Sequence, residues 1–336
     1  MIIFLKKDTT LAQEKEFRKL LIEKRIEVVS LVRNNQTLLV VIGKFGDSAK
    51  KDLQKQSFVE TILDITKPYK LASKNFKLEA SKFRLNGTII GDKEIILMAG
   101  PCSVESRFQM ETIAKEVKSS GCHILRGGAF KPRTGPYDFQ GLGKIGLHFL
   151  KQAAKMHHLG IITEIMDVRN VEMMEKYTDI FQVGARNMQN YPLLKELGKS
   201  RKPVLLKRSM SATYKEFLLA AEYILVGGND KVILCERGIR THVQETRFTL
   251  DLNAVAYLKQ ETHLPVVVDP SHGAGRSSLV RPMSKAAIAA GADGLLIEAH
   301  FDPRRSISDA DQAISTQELA KLVIEVKKVA RAVGRS

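Results

Sequence analysis

The chain lacks most of the features that assign a sequence to a class at once. Its three cysteines include no CxxC pair, so there is no disulfide framework, which fits a reducing cytoplasm. No apolar run approaches the length of a membrane span. The opening stretch MIIFLKKDTTLAQEKEF puts apolar residues ahead of its charges and has no small-residue cleavage site, so it does not read as a signal peptide. There is no GxxxxGKS/T, GxSxG or HExxH, and the GAG at Gly273–Gly275 lacks the rest of a dinucleotide fingerprint and reads as a tight turn. Acidic residues are few against basic ones, 37 to 53, leaving a formal net charge of +16. Much of that excess lies in ordinary Lys residues near the start, such as Lys15, Lys19, Lys50, Lys51 and Lys55. These read as a solvated surface. With no RNP, zinc-finger or helix-turn-helix signature, a nucleic-acid partner is not expected.

What is present has the size of one large domain plus a small one, 336 residues of which 44% are hydrophobic. Residues 1–70 read as a separate unit. MIIFLKK is a strand, Thr10 to Lys24 an amphipathic helix, and IEVVSLV and TLLVVIGK are strands joined at Arg33-Asn34-Asn35-Gln36. Asp47 to Gln56 is a short helix and VETILDI a last strand. The order β-α-β-β-α-β predicts a ferredoxin-like α+β domain. Residues 71–93 are a linker followed by FKLEASKF and TIIGDK around Asn86-Gly87, a strong hairpin signal. This hairpin is expected to plug the end of the domain that follows.

From residue 94 to 336, eight short apolar runs alternate with segments of helical period. They are IILMAG, HILRGG, GIITEI, IFQVGA, PVLLKR, KVILCE, PVVVDP and GLLIEA. Thr213 with Glu216 makes a capping box, Gly227-Gly228 stops that helix, and a last helix spans about Thr316 to Val333. This is the pattern of an α/β TIM (β/α)8 barrel, whose active site sits at the C-terminal ends of the strands. The runs are followed by Cys102, Arg126 with Lys131, Glu164 with Asp167, Arg186, Lys207, Glu236 with Arg237, Asp269 with His272, and Glu298. All are expected at one mouth.

Two constellations carry chemistry. Cys102, His272, Glu298 and Asp309 supply S, N, O and O donors from one rim, a set that suits one divalent ion such as Mn, Fe or Zn better than Mg or Ca. Arg126, Lys131, Arg133, Arg186, Lys207 and Arg237 form a cation cluster that would repel itself unless anions bind there. A minority are expected to pair with Glu164, Asp167, Glu236 or Asp269, and the surplus argues for phosphorylated substrates. The loop KPRTGPYDFQGLG adds Thr134 and a Gly-rich backbone able to offer N–H groups to phosphate. Cys122 and Cys235 read as packing.

The segments AGPCSVES, LRGGAFKPRTGPYDFQGLG, VGARNMQN, LLKRSMSAT, ERGIRT, VVDPSHGAGR and LLIEAHFDP with SDADQ closely resemble the 3-deoxy-D-arabino-heptulosonate 7-phosphate (DAHP) synthases. The resemblance covers about residues 90–330, and the small domain ahead of it looks like the regulatory extension of one branch of that family. It implies metal-dependent condensation of phosphoenolpyruvate with erythrose 4-phosphate and water. Cys102, His272, Glu298 and Asp309 would bind the metal. Arg126, Lys131, Arg186, Lys207 and Arg237, with the Ala185 backbone, would hold phosphoenolpyruvate. Lys131, Pro132, Arg133 and Thr134 would hold the aldose phosphate. Lys131 is the expected proton donor, and Glu164 either positions a water or forms a salt bridge.

The sister 3-deoxy-D-manno-octulosonate 8-phosphate synthases use arabinose 5-phosphate and typically read KANR-S/T where this chain has Lys131-Pro132-Arg133-Thr134, which favours erythrose 4-phosphate. Gly135 departs from the Ser common in the family and removes a hydroxyl beside that loop. The resemblance further implies a cytoplasmic homotetramer inhibited by an aromatic amino acid such as phenylalanine or tyrosine. A basic scaffold protein would leave the strand-end ligands unexplained, and a fused chorismate mutase is opposed by the β-rich reading of residues 1–70.

Overall fold

The computed structural model describes residues 1–43, 47–133 and 135–336, with nothing described of the Asp47 and Ser48 side chains. The N-terminal unit runs β1 (Ile2–Leu5), α1 (Leu11–Glu23), β2 (Glu27–Arg33), β3 (Gln36–Ile42), α2 (Asp47–Gln54), β4 (Val59–Leu63). Its antiparallel sheet has the order β2-β3-β1-β4, the ferredoxin-like arrangement expected. Period-two alternation gives the sheet two apolar faces. Ile3, Leu5, Leu39 and Val41 pack with Phe17 and Leu21 of α1 and Leu53 of α2. Ile2, Leu31, Leu38 and Val40 face the other way and join the large core around the barrel.

The connector is tied down by side chains. Glu222 accepts the backbone N–H groups of Lys70, Leu71 and Ala72 at 2.9, 2.8 and 2.9 Å. Tyr69 donates to Glu261 at 2.7 Å. The hairpin strands are β5 (Phe83–Leu85) and β6 (Thr88–Ile90). Asn86 and Gly87 both have positive φ, 45° and 86°, the mark of the turn that Asn-Gly favours. The first strand is shorter than FKLEASKF suggested. Phe76 is diverted to stack on Phe4 of the N-terminal sheet at 6.1 Å, and the Ser81 N–H bonds His263 O across the interface.

Eight parallel strands follow: β7 (Ile96–Gly100), β8 (Ile124–Arg126), β9 (Gly160–Ile165), β10 (Ile180–Val183), β11 (Val204–Lys207), β12 (Val232–Glu236), β13 (Val266–Val268) and β14 (Gly294–His300). They lie in sequential order, and β13–β14 with β14–β7 pairing closes the barrel. A two-residue β15 (Ile314–Ser315) adds to β14. The helices are α3 (Arg107–Ser119), α4 (Gly143–Met156), α5 (Val171–Glu175), α6 (Tyr191–Lys199), α7 (Tyr214–Val226), α8 (Leu252–Glu261), α9 (Pro270–Ala274), α10 (Ser277–Ala289) and α11 (Thr316–Ala332). The Thr213–Glu216 capping box opens α7 as expected. Among the described residues no helix is long and apolar enough to cross a membrane.

The interior is layered. Ile96, Met98, Ile124, Ile162, Ile180, Leu205, Ile233, Cys235, Val267 and Leu296 form one inner cluster, with Ile90, Phe83 and Leu85 of the hairpin packed on it. The hairpin therefore closes the N-terminal end, as anticipated. Two residues further along each strand the inward positions become Arg126, Glu164, Gln182, Lys207, Arg237, Asp269 and Glu298.

Candidate active site at the C-terminal mouth

Of those inward positions, Arg126, Glu164, Gln182, Lys207 and Arg237 floor a cavity of about 200 Å³. Arg126, Lys131, Pro132, Arg133, Glu164, Ala185, Arg186, Lys207, Arg237, His272 and Asp309 all line it, so most of the residues singled out from sequence do converge. Thr134 lies outside the described residues. Two expected members of the ring do not join it. Asp167 caps a short 3-10 turn and pairs with the exposed Arg169. Glu236 is one residue out of phase with Cys235 and Arg237, so its side chain leaves the barrel. There it meets Arg208 at 3.0 Å, and Arg208 also reaches Asp251 at 2.9 Å.

Of the six cations, Lys207 pairs with Asp269 at 2.5 Å and Arg126 with Glu298 at 2.5 Å. Among the described residues Lys131, Arg133, Arg186 and Arg237 form no ion pair, so a cationic surplus faces the cavity. Arg237 lies over the Phe248 ring at 4.0 Å. Among the described residues, Arg126 Nε and Arg237 Nη1 are buried without a protein partner. Buried guanidinium donors left open in this way call for an anion. Burial also pushes the Arg237 guanidinium below its ordinary value, a cost that a bound anion would relieve.

The donor set lies beside this cradle. One ligand atom each from Cys102, Glu298 and Asp309 falls within 4.8 Å of the others. His272 stands at the edge of the set, its Nε2 3.3 Å from Glu298 Oε1. The Cys102 thiol donates to Asp309 at 3.2 Å, and Lys131 Nζ donates to Cys102 Sγ at 3.0 Å and to its carbonyl at 2.9 Å. Burial and the Glu298 carboxylate push the Cys102 thiol up to about 12, against the pull of Lys131 and Arg126. Burial alone would raise Glu298, but His272, Arg126 and Lys131 outweigh it and hold the carboxyl at about 2. Burial keeps His272 below its usual value, against the pull of Asp269 and Glu298. A thiol, an imidazole and two carboxylates fit a borderline divalent ion, whose charge would displace the thiol proton. Asp309 holds φ 53°, a left-handed conformation that Asp tolerates better than most residues.

Glu164 needs room that only glycine leaves: a Cβ at Gly184 would lie 2.1 Å from Glu164 Oε1. Among the described residues its carboxylate accepts from Gln182 Nε2 at 3.2 Å and makes no ion pair. Sequence reasoning passed over Arg247, Phe248 and Gln312. Arg247 reaches across the mouth to Gln312 at 2.8 Å and Asp309 at 3.4 Å, and Gln312 Nε2 donates to Glu298 at 2.5 Å. Gln312 lay within the motif SDADQ and could have been flagged there. Arg247 sits inside a loop, where strand-end logic gives no signal.

Fold and site define a (β/α)8-barrel enzyme whose cationic mouth lies next to a group of residues that could hold a metal ion. The chain belongs to the DAHP synthetase I family, whose pattern matches residues 71–334. It is 42% identical over 334 residues to the phospho-2-dehydro-3-deoxyheptonate aldolase of Thermotoga maritima, covering 99% of both proteins. It is 31% identical over 257 residues to a 2-dehydro-3-deoxyphosphooctonate aldolase of Desulfotalea psychrophila, covering 71% of this chain and 91% of that one. The crystal structure of the Thermotoga maritima enzyme superposes with a TM-score of 0.79, covering 100% of this chain and 98% of that one at 42% identity. A truncated form of the 3-deoxy-D-arabino-heptulosonate 7-phosphate synthase from the same organism gives 0.75 at 43% identity, covering 80% of this chain and 98% of that chain.

Proposed function

We propose that the chain condenses phosphoenolpyruvate with erythrose 4-phosphate and water to give DAHP and phosphate, the entry step of aromatic biosynthesis, in the cytoplasm. The observation that carries this reading is the open cationic surplus around one cavity, directly beside Cys102, His272, Glu298 and Asp309, in a chain that matches a DAHP synthase along its whole length.

Arg126, Arg186, Lys207 and Arg237, with the Ala185 backbone, hold phosphoenolpyruvate. Lys131, Pro132, Arg133 and Thr134 receive the aldose phosphate. Bringing two anions together is unfavourable in itself, so neutralisation and positioning supply much of the rate. A divalent ion held by Cys102, His272, Glu298 and Asp309 would supply Lewis-acid polarisation of the aldehyde. Carbon 3 of phosphoenolpyruvate bonds to the aldehyde carbon, and Lys131 delivers a proton to the former aldehyde oxygen. Carbon 2 is left cationic and takes water oriented by Glu164, whose carboxylate is fixed by Gln182 rather than spent on an ion pair. The water gives up one proton, which restores the Lys131 ammonium. The resulting phosphate hemiketal passes its hydroxyl proton to the leaving group and expels hydrogen phosphate, leaving the ketone at carbon 2.

Residues 1–70 form the regulatory domain of this reading, residues 71–93 the linker and barrel plug, and 94–336 the catalytic barrel. An aromatic amino acid acts through the first of these in a homotetramer. Support comes from the way the N-terminal sheet shares a core with the barrel and from the clamp of Glu222 on the connector. Deleting residues 1–66 keeps that clamp. The shortened chain should keep turnover and lose inhibition, and normal inhibition of it would refute the regulatory role.

The experiment is phosphoenolpyruvate consumption with erythrose 4-phosphate against arabinose 5-phosphate, each with and without chelator. Turnover with erythrose 4-phosphate, lost on chelation and restored by Mn²⁺, is expected. Turnover with arabinose 5-phosphate alone would move the chain to the sister activity.

A further inference from the structure

Asp269 belongs to neither group of residues assigned above, yet it touches both. It follows β13, points into the barrel, is fully buried and caps α9. Oδ1 accepts the backbone N–H of His272 at 2.9 Å. Oδ2 accepts from His272 Nδ1 at 2.7 Å and from Lys207 Nζ at 2.5 Å. Lys207 comes from β11, the alternate strand, and alternate strands of such a barrel share a side-chain layer. On its far side His272 Nε2 faces Glu298, which in turn holds Arg126. A single carboxylate oxygen thus stands between a cation of the anion cradle and an imidazole of the donor set.

A buried carboxylate with an ammonium is a poor device for stability alone, because desolvation offsets the attraction. It is a good device for orientation. An ionised carboxylate only accepts, so it selects the His272 tautomer with the proton on Nδ1 and leaves the Nε2 lone pair free. A cap reaching a backbone N–H three residues on also needs a short side chain.

Resting on the function proposed above, we infer that Asp269 is a positioning residue shared by the two halves of the site. It orients His272 toward the cation-ligand set and holds Lys207 at the wall of the anion cradle, so its loss damages both at once.

The test uses full-length, metal-stripped Asp269→Asn and reads binding rather than turnover. Asn keeps the size but its amide nitrogen cannot accept. Mn²⁺ affinity, measured by equilibrium binding without substrate, should fall about 10–100-fold. The dissociation constant for phosphoenolpyruvate should rise roughly tenfold, as expected when one charge-assisted hydrogen bond is misplaced. Asp251→Asn supplies the comparison. It disturbs a partly buried contact to Arg208 outside the barrel, so it should lower Tm and leave both constants within about twofold of the wild type. Mn²⁺ affinity of Asp269→Asn within about twofold of wild type would overturn the inference, and so would weaker Mn²⁺ binding with unchanged phosphoenolpyruvate binding. Should Asp269→Asn fail to fold, ¹⁵N NMR of histidine-labelled wild type decides. His272 must carry its proton on Nδ1, and a proton on Nε2 overturns the inference. Absence of turnover with either sugar phosphate would refute the functional reading and leave these binding readouts standing.

Discussion

The two ends of the barrel are made from the same eight strands, yet they have opposite chemistry. At the N-terminal end Ile96, Ile124, Ile180, Leu205 and Ile233 fill the interior, and the β5–β6 hairpin seals it with Ile90 and Phe83. At the C-terminal end, two or four residues further along the strands, the same inward face carries Arg126, Glu164, Lys207, Arg237, Asp269 and Glu298. One end is a packed core worth stability. The other buries charges at a cost that packing elsewhere must offset. Stability and function are thereby separated along each strand, and substitutions at the two ends should fail in different ways.

The largest effect should fall on rate alone. Lys131→Met removes the proposed proton donor, and kcat should fall about 10²–10⁴-fold with little change in Tm; steady-state kinetics with a melting curve check both. Arg126→Met breaks the comparison deliberately, because it strips Glu298 of its buried partner. It should cost about 3–5 kcal/mol of stability as well as phosphoenolpyruvate affinity, read by urea unfolding and calorimetry. At the closed end Ile233→Ala should cost about 2–5 kcal/mol through the cavity it leaves, with KM values unchanged in the folded fraction.

Acid should act on the charged end. Glu298 is held at about 2 against an ordinary 4.5. A carboxyl lowered in the folded state stabilises it above pH about 4.5, and that contribution is lost as pH falls from about 4.5 to about 2. Glu298→Gln should flatten the acid limb of stability against pH over that window. The smallest effect is at the plug: Gly87→Ala meets no neighbouring atom but must hold φ 86°, costing about 1–2 kcal/mol with kinetics untouched.

Much of this was legible in the residues. The eight apolar runs, the Asn86-Gly87 turn and the Thr213–Glu216 cap all mark local structure by local chemistry, and each appears where it was read. That Cys102, Glu298 and Asp309 meet was legible because a barrel brings its strand ends together. The facing of neighbouring charges was not. Strands in a parallel barrel are apolar on both sides, so Val204 to Leu206 look alike whichever way they point, and no alternation says that Lys207 turns in and Arg208 out. The same ambiguity misplaced Glu236, and Asp167 was misread because a polar residue after a strand can serve as a cap. Phe76 was read as part of a strand because its partner, Phe4, lies in another unit of the chain.

By itself, then, the order of residues determined the main elements and the kinds of atoms available at the mouth, since propensity, capping and turn geometry act over a few residues. Only the closed barrel decided which of those atoms meet. The Lys207–Asp269 and His272–Glu298 contacts, the Arg126–Glu298 pair and the reach of Arg247 to Gln312 join segments far apart in the chain. Their physical cause is closure: inward side chains of alternate strands are forced into one layer, where charges must pair, face a ligand, or be excluded.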